Sequence, residues 1–173
     1  MSRKLLTFTA LAVFALPFAT AHAQLGFGAA AGLSAPMSDF KNTSDVGYHL
    51  TGMVTFSPPL APIGFRFEGM FNEFNSKLNS AVKTRILAGT ANAMVGAPGI
   101  IGPYVIGGLG MYRSSASCSA CSGSNTNPGF NLGGGLRFGL AGFSAFGEAR
   151  YHYVKASSGS NLQFIPVSFG VTF

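Results

Sequence analysis

Charge is what this chain most lacks. Asp, Glu, Lys and Arg make up 9% of its 173 residues, against roughly 25% in soluble domains. A soluble surface so poor in charge would be badly hydrated, so much of the surface must face something other than water. Basic clusters are lacking too: the Lys and Arg are scattered singly, with no basic helix and no zinc-finger spacing. That excludes an electrostatic footprint for nucleic acid, and none is expected as a partner, despite a sequence pI near 9.7. A helical membrane span is also missing. The stretch 93–112 has no charge, yet it holds six glycines together with Pro98 and Pro103. Each glycine costs a helix about 1 kcal/mol and each interior proline about 3. Two strands joined at Ala97-Pro98-Gly99 fit better.

Cysteine is scarce as well, with only Cys118 and Cys121. In an oxidising compartment such a pair predicts one disulfide. A thioredoxin-like redox site needs the first Cys at a helix N-terminus, and no helical pattern follows it. A Cys2His2 zinc site with His49 and His152, both near the same ends of their strands, is the weaker alternative. No metal or other cofactor is expected.

What is present begins with an export signal. Arg3 and Lys4 precede an apolar run over 5–19, and Ala21-His22-Ala23 reads as an A-x-A cleavage site. Residues 1–23 are therefore predicted to be a signal peptide, and 24–173 the domain. Cleavage takes two of the eleven basic residues and none of the five acids, leaving nine against five and a net charge of +4.

The domain repeats with period two. At its end Ile165, Val167, Phe169, Val171 and Phe173 alternate with Pro166, Ser168, Gly170 and Thr172. At its start Leu25, Phe27, Ala29, Ala31 and Leu33 alternate with glycine and alanine. Six further runs of this kind lie between, so about eight strands of about ten residues are predicted. Short connections at 58–62, 97–100 and 140–142 alternate with long polar ones at 35–46, 75–83, 113–129 and 155–161. This is the pattern of short periplasmic turns and longer extracellular loops. Lipid offers backbone groups no partner, so the strands must close into a barrel. The predicted fold is an all-β, eight-stranded, antiparallel up-and-down transmembrane β-barrel. A soluble lipocalin-like barrel would put the Phe/Val/Ile parity inside and leave an exterior of Gly, Ser and Thr with few charges.

These residues resemble the small outer-membrane barrels of the OmpA/OmpX type over the whole of 24–173. The resemblance rests on the terminal Phe173 of an alternating last strand, the Pro103-Tyr104-Val105-Ile106-Gly107-Gly108 strand start, and Glu148-Ala149-Arg150-Tyr151. It implies Gram-negative outer-membrane location, and an assembly signal at Phe169, Val171 and Phe173 read by the barrel-assembly machinery. It also implies contact with outer-membrane lipids and lipopolysaccharide. A monomer is expected. The larger two-domain members are resembled only in their barrel, and no peptidoglycan-binding domain is expected.

Arg66, Glu68, Arg137, Glu148 and Arg150 all fall on inward parities. Unpaired charge in a narrow lumen is costly, so they are expected to form a structural ion-pair network; a gated ion path is the alternative. Tyr104 and Tyr112, eight residues apart, are candidates for the two aromatic girdles, as are Tyr151 and Tyr153. Lipid A deacylases of this fold use a His and a Ser two positions apart. Here Val154 stands two after His152, so no catalytic residues are assigned. The leading function is structural or surface-interaction through the long loops, with a narrow channel next and a lipid hydrolase last.

Overall fold

The computed structural model describes residues 24–58, 63–77, 82–97, 99–118, 121–140, 142–156 and 161–173, without the side chains of 24, 116–118, 121 and 122. The predicted signal peptide, 1–23, lies outside the described residues. The strands are β1 (Gln24–Pro36), β2 (Gly47–Ser57), β3 (Ile63–Asn75), β4 (Lys83–Gly96), β5 (Ile101–Cys118), β6 (Cys121–Leu140), β7 (Phe143–Val154) and β8 (Leu162–Thr172). Each is antiparallel to its sequence neighbours, and β8 returns to β1 to close an eight-stranded barrel. The seam runs from Gly28↔Thr172 to Pro36↔Phe164. Reciprocal backbone bonds between Phe27 and Phe173, at 3.0 and 2.8 Å, extend it to the last residue.

Period two sorts the side chains onto two faces. The outer face is apolar: Leu25, Phe27, Leu50, Phe67, Leu87, Leu132 and Val167 are exposed, Leu109 is 71% exposed and Phe169 70%. The inner face holds the charge and much of the polarity, with Arg66, Glu68, Asn92, Asn131, Glu148 and Arg150 buried. A water-soluble barrel has the reverse arrangement. This one suits hydrocarbon outside, with every strand paired on both edges across that zone. An eight-stranded lumen is narrow enough for side chains to fill, and glycine makes room where the chain is tightest. A Cβ on Gly133 would come 2.6 Å from the Cγ of Arg150, and one on Gly135 would come 2.8 Å from the Tyr104 hydroxyl.

At one end the connections are tight, with positive φ at Gly99 (130°) and Gly142 (89°). The other end departs from the expected loops in two places. The segment 113–129 is not a loop. β5 and β6 stay paired from Tyr112↔Asn127 out to Cys118↔Cys121; β4 accompanies β5 as far as Lys83↔Ser117, while β6 extends past its pairing with β7, which ends at Gly129↔Val154. The expected loop 35–46 carries a one-turn helix, α1 (Phe40–Thr43). Alternation in this hairpin is of Ser, Gly, Asn and Thr, so it pairs as a ribbon without the hydrophobic signal that marks a strand in sequence.

Tyr104 and Tyr112 belong to neither girdle. Both point into the lumen and are buried, because β5 puts its even-numbered residues inside. Tyr151 and Tyr153 do face outward, and Tyr153 stacks on Phe130 at 5.2 Å.

Candidate functional site

Two arginines and two glutamates form a closed ring at mid-lumen. Arg66 Nε lies 2.8 Å from Glu68 Oε1, and its Nη2 reaches Glu148 Oε2. Arg150 Nη1 lies 2.6 Å from Glu68 Oε2, and its Nε 2.7 Å from Glu148 Oε1. Each arginine thus bridges both glutamates, the ring is neutral, and all four side chains are no more than 3% exposed. Neutral donors also reach both carboxylates. Thr90 Oγ1 and Asn92 Nδ2 donate to Glu68 at 3.1 and 3.0 Å, and the Tyr104 hydroxyl donates to Glu148 at 2.6 Å. Asn131 donates to Asn92 and accepts weakly from Arg150. Arg66 Nε and Arg150 Nε lie at ion-pair distance from the carboxylates without hydrogen-bond geometry, while the other bonds are what a buried ion cluster needs for its Coulomb energy to offset desolvation.

Arg137 is not in this ring. Its inward parity is as expected, but it pairs in register with Gly102 and Phe146 next to the tight turn, where its side chain is exposed. Parity fixes the face a side chain occupies and says nothing of its depth. Below the ring lies an apolar layer of Ala30, Met53, Ile106 and Phe146, with the Arg66 guanidinium 5.4 Å from the Phe146 ring. A cavity of ≈ 840 Å³ then opens at the end that carries the start of β1 and the end of β8, with Arg66 and Tyr104 among its walls and Arg137 near its mouth.

Above the ring comes a polar layer. His49 lies 3.1 Å (Nδ1) from Ser34 Oγ and 2.9 Å (Nε2) from Ser168 Oγ, while Ser34 donates to Asn72 at 2.8 Å. His152 Nδ1 lies 2.9 Å from the Tyr112 hydroxyl, and its ring stacks on Phe164 at 4.9 Å. The contact of Ser168 with His49 resembles a hydrolase dyad in distance, but both are buried and face inward among packed side chains. Neither histidine has an acid or cysteine near enough to make a three-residue metal cluster among the described residues. The top layer is carbon: Met70, Phe74, Ile86, Ala88, Val154 and Phe164, with Phe40 of α1 folded in from outside. Phe40 meets Phe74 edge-on at 5.0 Å.

Thr90, Asn92, Tyr104 and Asn131 were not among the predicted site residues. Their signal was their polarity on the inward parity, obscured in β4 and β5 by the glycine and alanine around them. The Cys118 and Cys121 side chains lie outside the described residues. Their backbones sit opposite each other at the hairpin tip. Phe169 and Val171 occupy the outer face of β8, against β1 and β7, and the exposed Phe173 follows the strand's last residue.

The model of the outer membrane protein beta-barrel domain family matches residues 6–173. Among solved structures, the Neisserial surface protein A is similar with a TM-score of 0.67 at 15% identity, covering 87% of this chain and 97% of that one. A major outer membrane protein from Thermus thermophilus gives 0.61 at 11% identity, over 88% and 98%. The outer membrane enzyme PagL gives 0.58 at 15% identity, over 86% and 98%. At these identities the likeness is one of fold. No curated protein matches the chain.

Proposed function

Because the chain belongs to the outer membrane protein β-barrel domain family, we propose that it works at its surfaces and not through its lumen. It is a sealed barrel of the bacterial outer membrane, exported by the 1–23 signal, monomeric, with a structural role and surface contacts made by its extracellular connections. The observation that carries this reading is the double closure of the lumen. The neutral Arg66–Glu68–Arg150–Glu148 ring is followed outward by a carbon plug. An ion passing this way would have to break buried charge pairs and then cross a layer made mostly of carbon. The β5–β6 hairpin supplies the surface, exposing Gly123, Ser124, Asn125 and Thr126.

The cavity below the ring gives a narrow channel its one favourable observation. Conductance of the refolded protein in a planar bilayer separates the two. No steady openings are expected, and ion-selective openings that disappear in Arg150→Ala would overturn the sealed barrel. A lipid hydrolase is disfavoured because His49, His152 and Ser168 all face inward. Release of fatty acid from labelled lipopolysaccharide, absent in His152→Ala, would reverse that.

A further inference from the structure

The outer wall of β3, β4 and β5 carries a charge cluster that the lumen does not explain. Glu73, Lys83, Arg85 and Arg113 all stand on outward parities at the end opposite the termini. Glu73 is held by Lys83 Nζ at 2.6 Å and Arg85 Nε at 2.8 Å. One carboxylate among three cations leaves a net charge of +2. Lys83 and Arg85 stay 44% and 48% exposed, and Arg113 is exposed with one bond to Ser124 at 3.1 Å. The next outward residues down these strands are Phe71, Leu87 and Met111, so the cations sit at the upper edge of the apolar band. On β7 and β8 the outward positions toward this end are Tyr151, Tyr153 and Gln163, with one lysine, Lys155, just past the end of β7.

Directly below, the wall is hollow. Gly52, Gly69 and Gly89 stand side by side in register across β2, β3 and β4. A Cβ on any of them would meet no atom within 4 Å. With Phe67, Leu109 and Met111 around them they line an outward-open depression of ≈ 790 Å³. Arg85 and Gly89 are four residues apart, about 13 Å along β4. An apolar depression facing hydrocarbon loses dispersion contacts unless a chain fills it.

We propose that this wall holds one molecule of the phosphorylated glycolipid of the outer leaflet. Its phosphates lie on Lys83, Arg85 and Arg113, and one acyl chain lies in the glycine depression. Guanidinium groups suit phosphate because they donate in pairs, and Arg85 has only its Nε committed to Glu73. The charge selects the headgroup; the depression selects a lipid that places a chain beneath it.

The test is native mass spectrometry of the refolded protein titrated with purified lipid A, dephosphorylated lipid A or phosphatidylglycerol. Wild type is expected to retain lipid A in preference to both others. Arg85→Gln with Arg113→Gln should weaken lipid A binding about thirtyfold and abolish its salt dependence. Binding of the dephosphorylated lipid should not change. Gly89→Leu, which enters open space, should weaken lipid A while leaving the preference for phosphate. A heat-modifiable gel shift checks that each variant folds. Equal binding of phosphatidylglycerol, or an unchanged affinity in the double Arg variant, would overturn the site. An unchanged affinity in Gly89→Leu would overturn the acyl-chain half. None of these outcomes depends on whether the lumen conducts.

Discussion

The two halves of the lumen are closed by different physics. On the side of the long connections, Phe74, Ile86, Val154, Phe164 and the Phe40 ring from α1 fill the bore with carbon. On the side of the termini the bore stays open as a cavity of ≈ 840 Å³. The charge ring lies between them, one face against the polar His49 and Ser168 layer and the other against Phe146. The difference teaches that stability and closure are concentrated at the ring and above it. Below the ring, side chains line space and do not fill it.

The most damaging change should be to the ring. Glu148→Ala removes one of two carboxylates and leaves Arg66 and Arg150 sharing Glu68, with the Tyr104 hydroxyl deprived of its acceptor. The expected loss is about 3–5 kcal/mol, the usual effect of breaking a buried pair from one side. Urea unfolding in lipid vesicles measures it. A loss below about 1 kcal/mol would mean that water from the cavity already reaches the ring, and the contrast between the halves would weaken. Phe164→Ala comes next, at about 3 kcal/mol or a little more for an aromatic truncated in a packed layer. It tests the upper half separately, since the ring is untouched.

On the outside, Phe169→Asp places a carboxylate on the lipid face of β8. It should cost about 2–3 kcal/mol near mid-membrane. Because β8 closes the barrel against β1, the loss should show as failure to insert, read by a heat-modifiable gel shift, with export unaffected. Normal insertion would mean that Phe169 does not meet hydrocarbon.

The faces of this barrel were legible in the sequence because each strand alternates with period two, and one slip of register would invert every side chain. Closure followed from the same pattern, since only a barrel satisfies the backbone in lipid. Depth was not legible. Arg66, Arg137 and Arg150 carry the same parity, but their height in the bore depends on stagger between strands that are not neighbours in sequence. The pairing over 113–118 and 121–129 was missed because its residues are mostly Ser, Gly, Asn and Thr, which removes the hydrophobic alternation while leaving the backbone pairing intact. The glycine depression was invisible for a related reason: Gly52, Gly69 and Gly89 each look like an ordinary gap in a strand until register sets them side by side.

The smallest expected effect is the sharpest test of the contrast. Arg137 shares residue type and inward parity with Arg66 and Arg150, so an account based on lumen charge alone would give all three similar weight. The structure separates them by surroundings. Arg66 and Arg150 each touch two carboxylates in a buried layer, whereas Arg137 is exposed beside Gly102 at the mouth of the cavity. Removing an arginine from the ring strands buried negative charge; removing Arg137 strands nothing. Arg137→Ala should therefore change stability by no more than about 0.5 kcal/mol, the range of ordinary surface substitutions. Measured in the same vesicles as Glu148→Ala, the two values should differ several-fold. If Arg137→Ala instead destabilises as much as Glu148→Ala does, the lower half of the bore is as tightly organised as the upper.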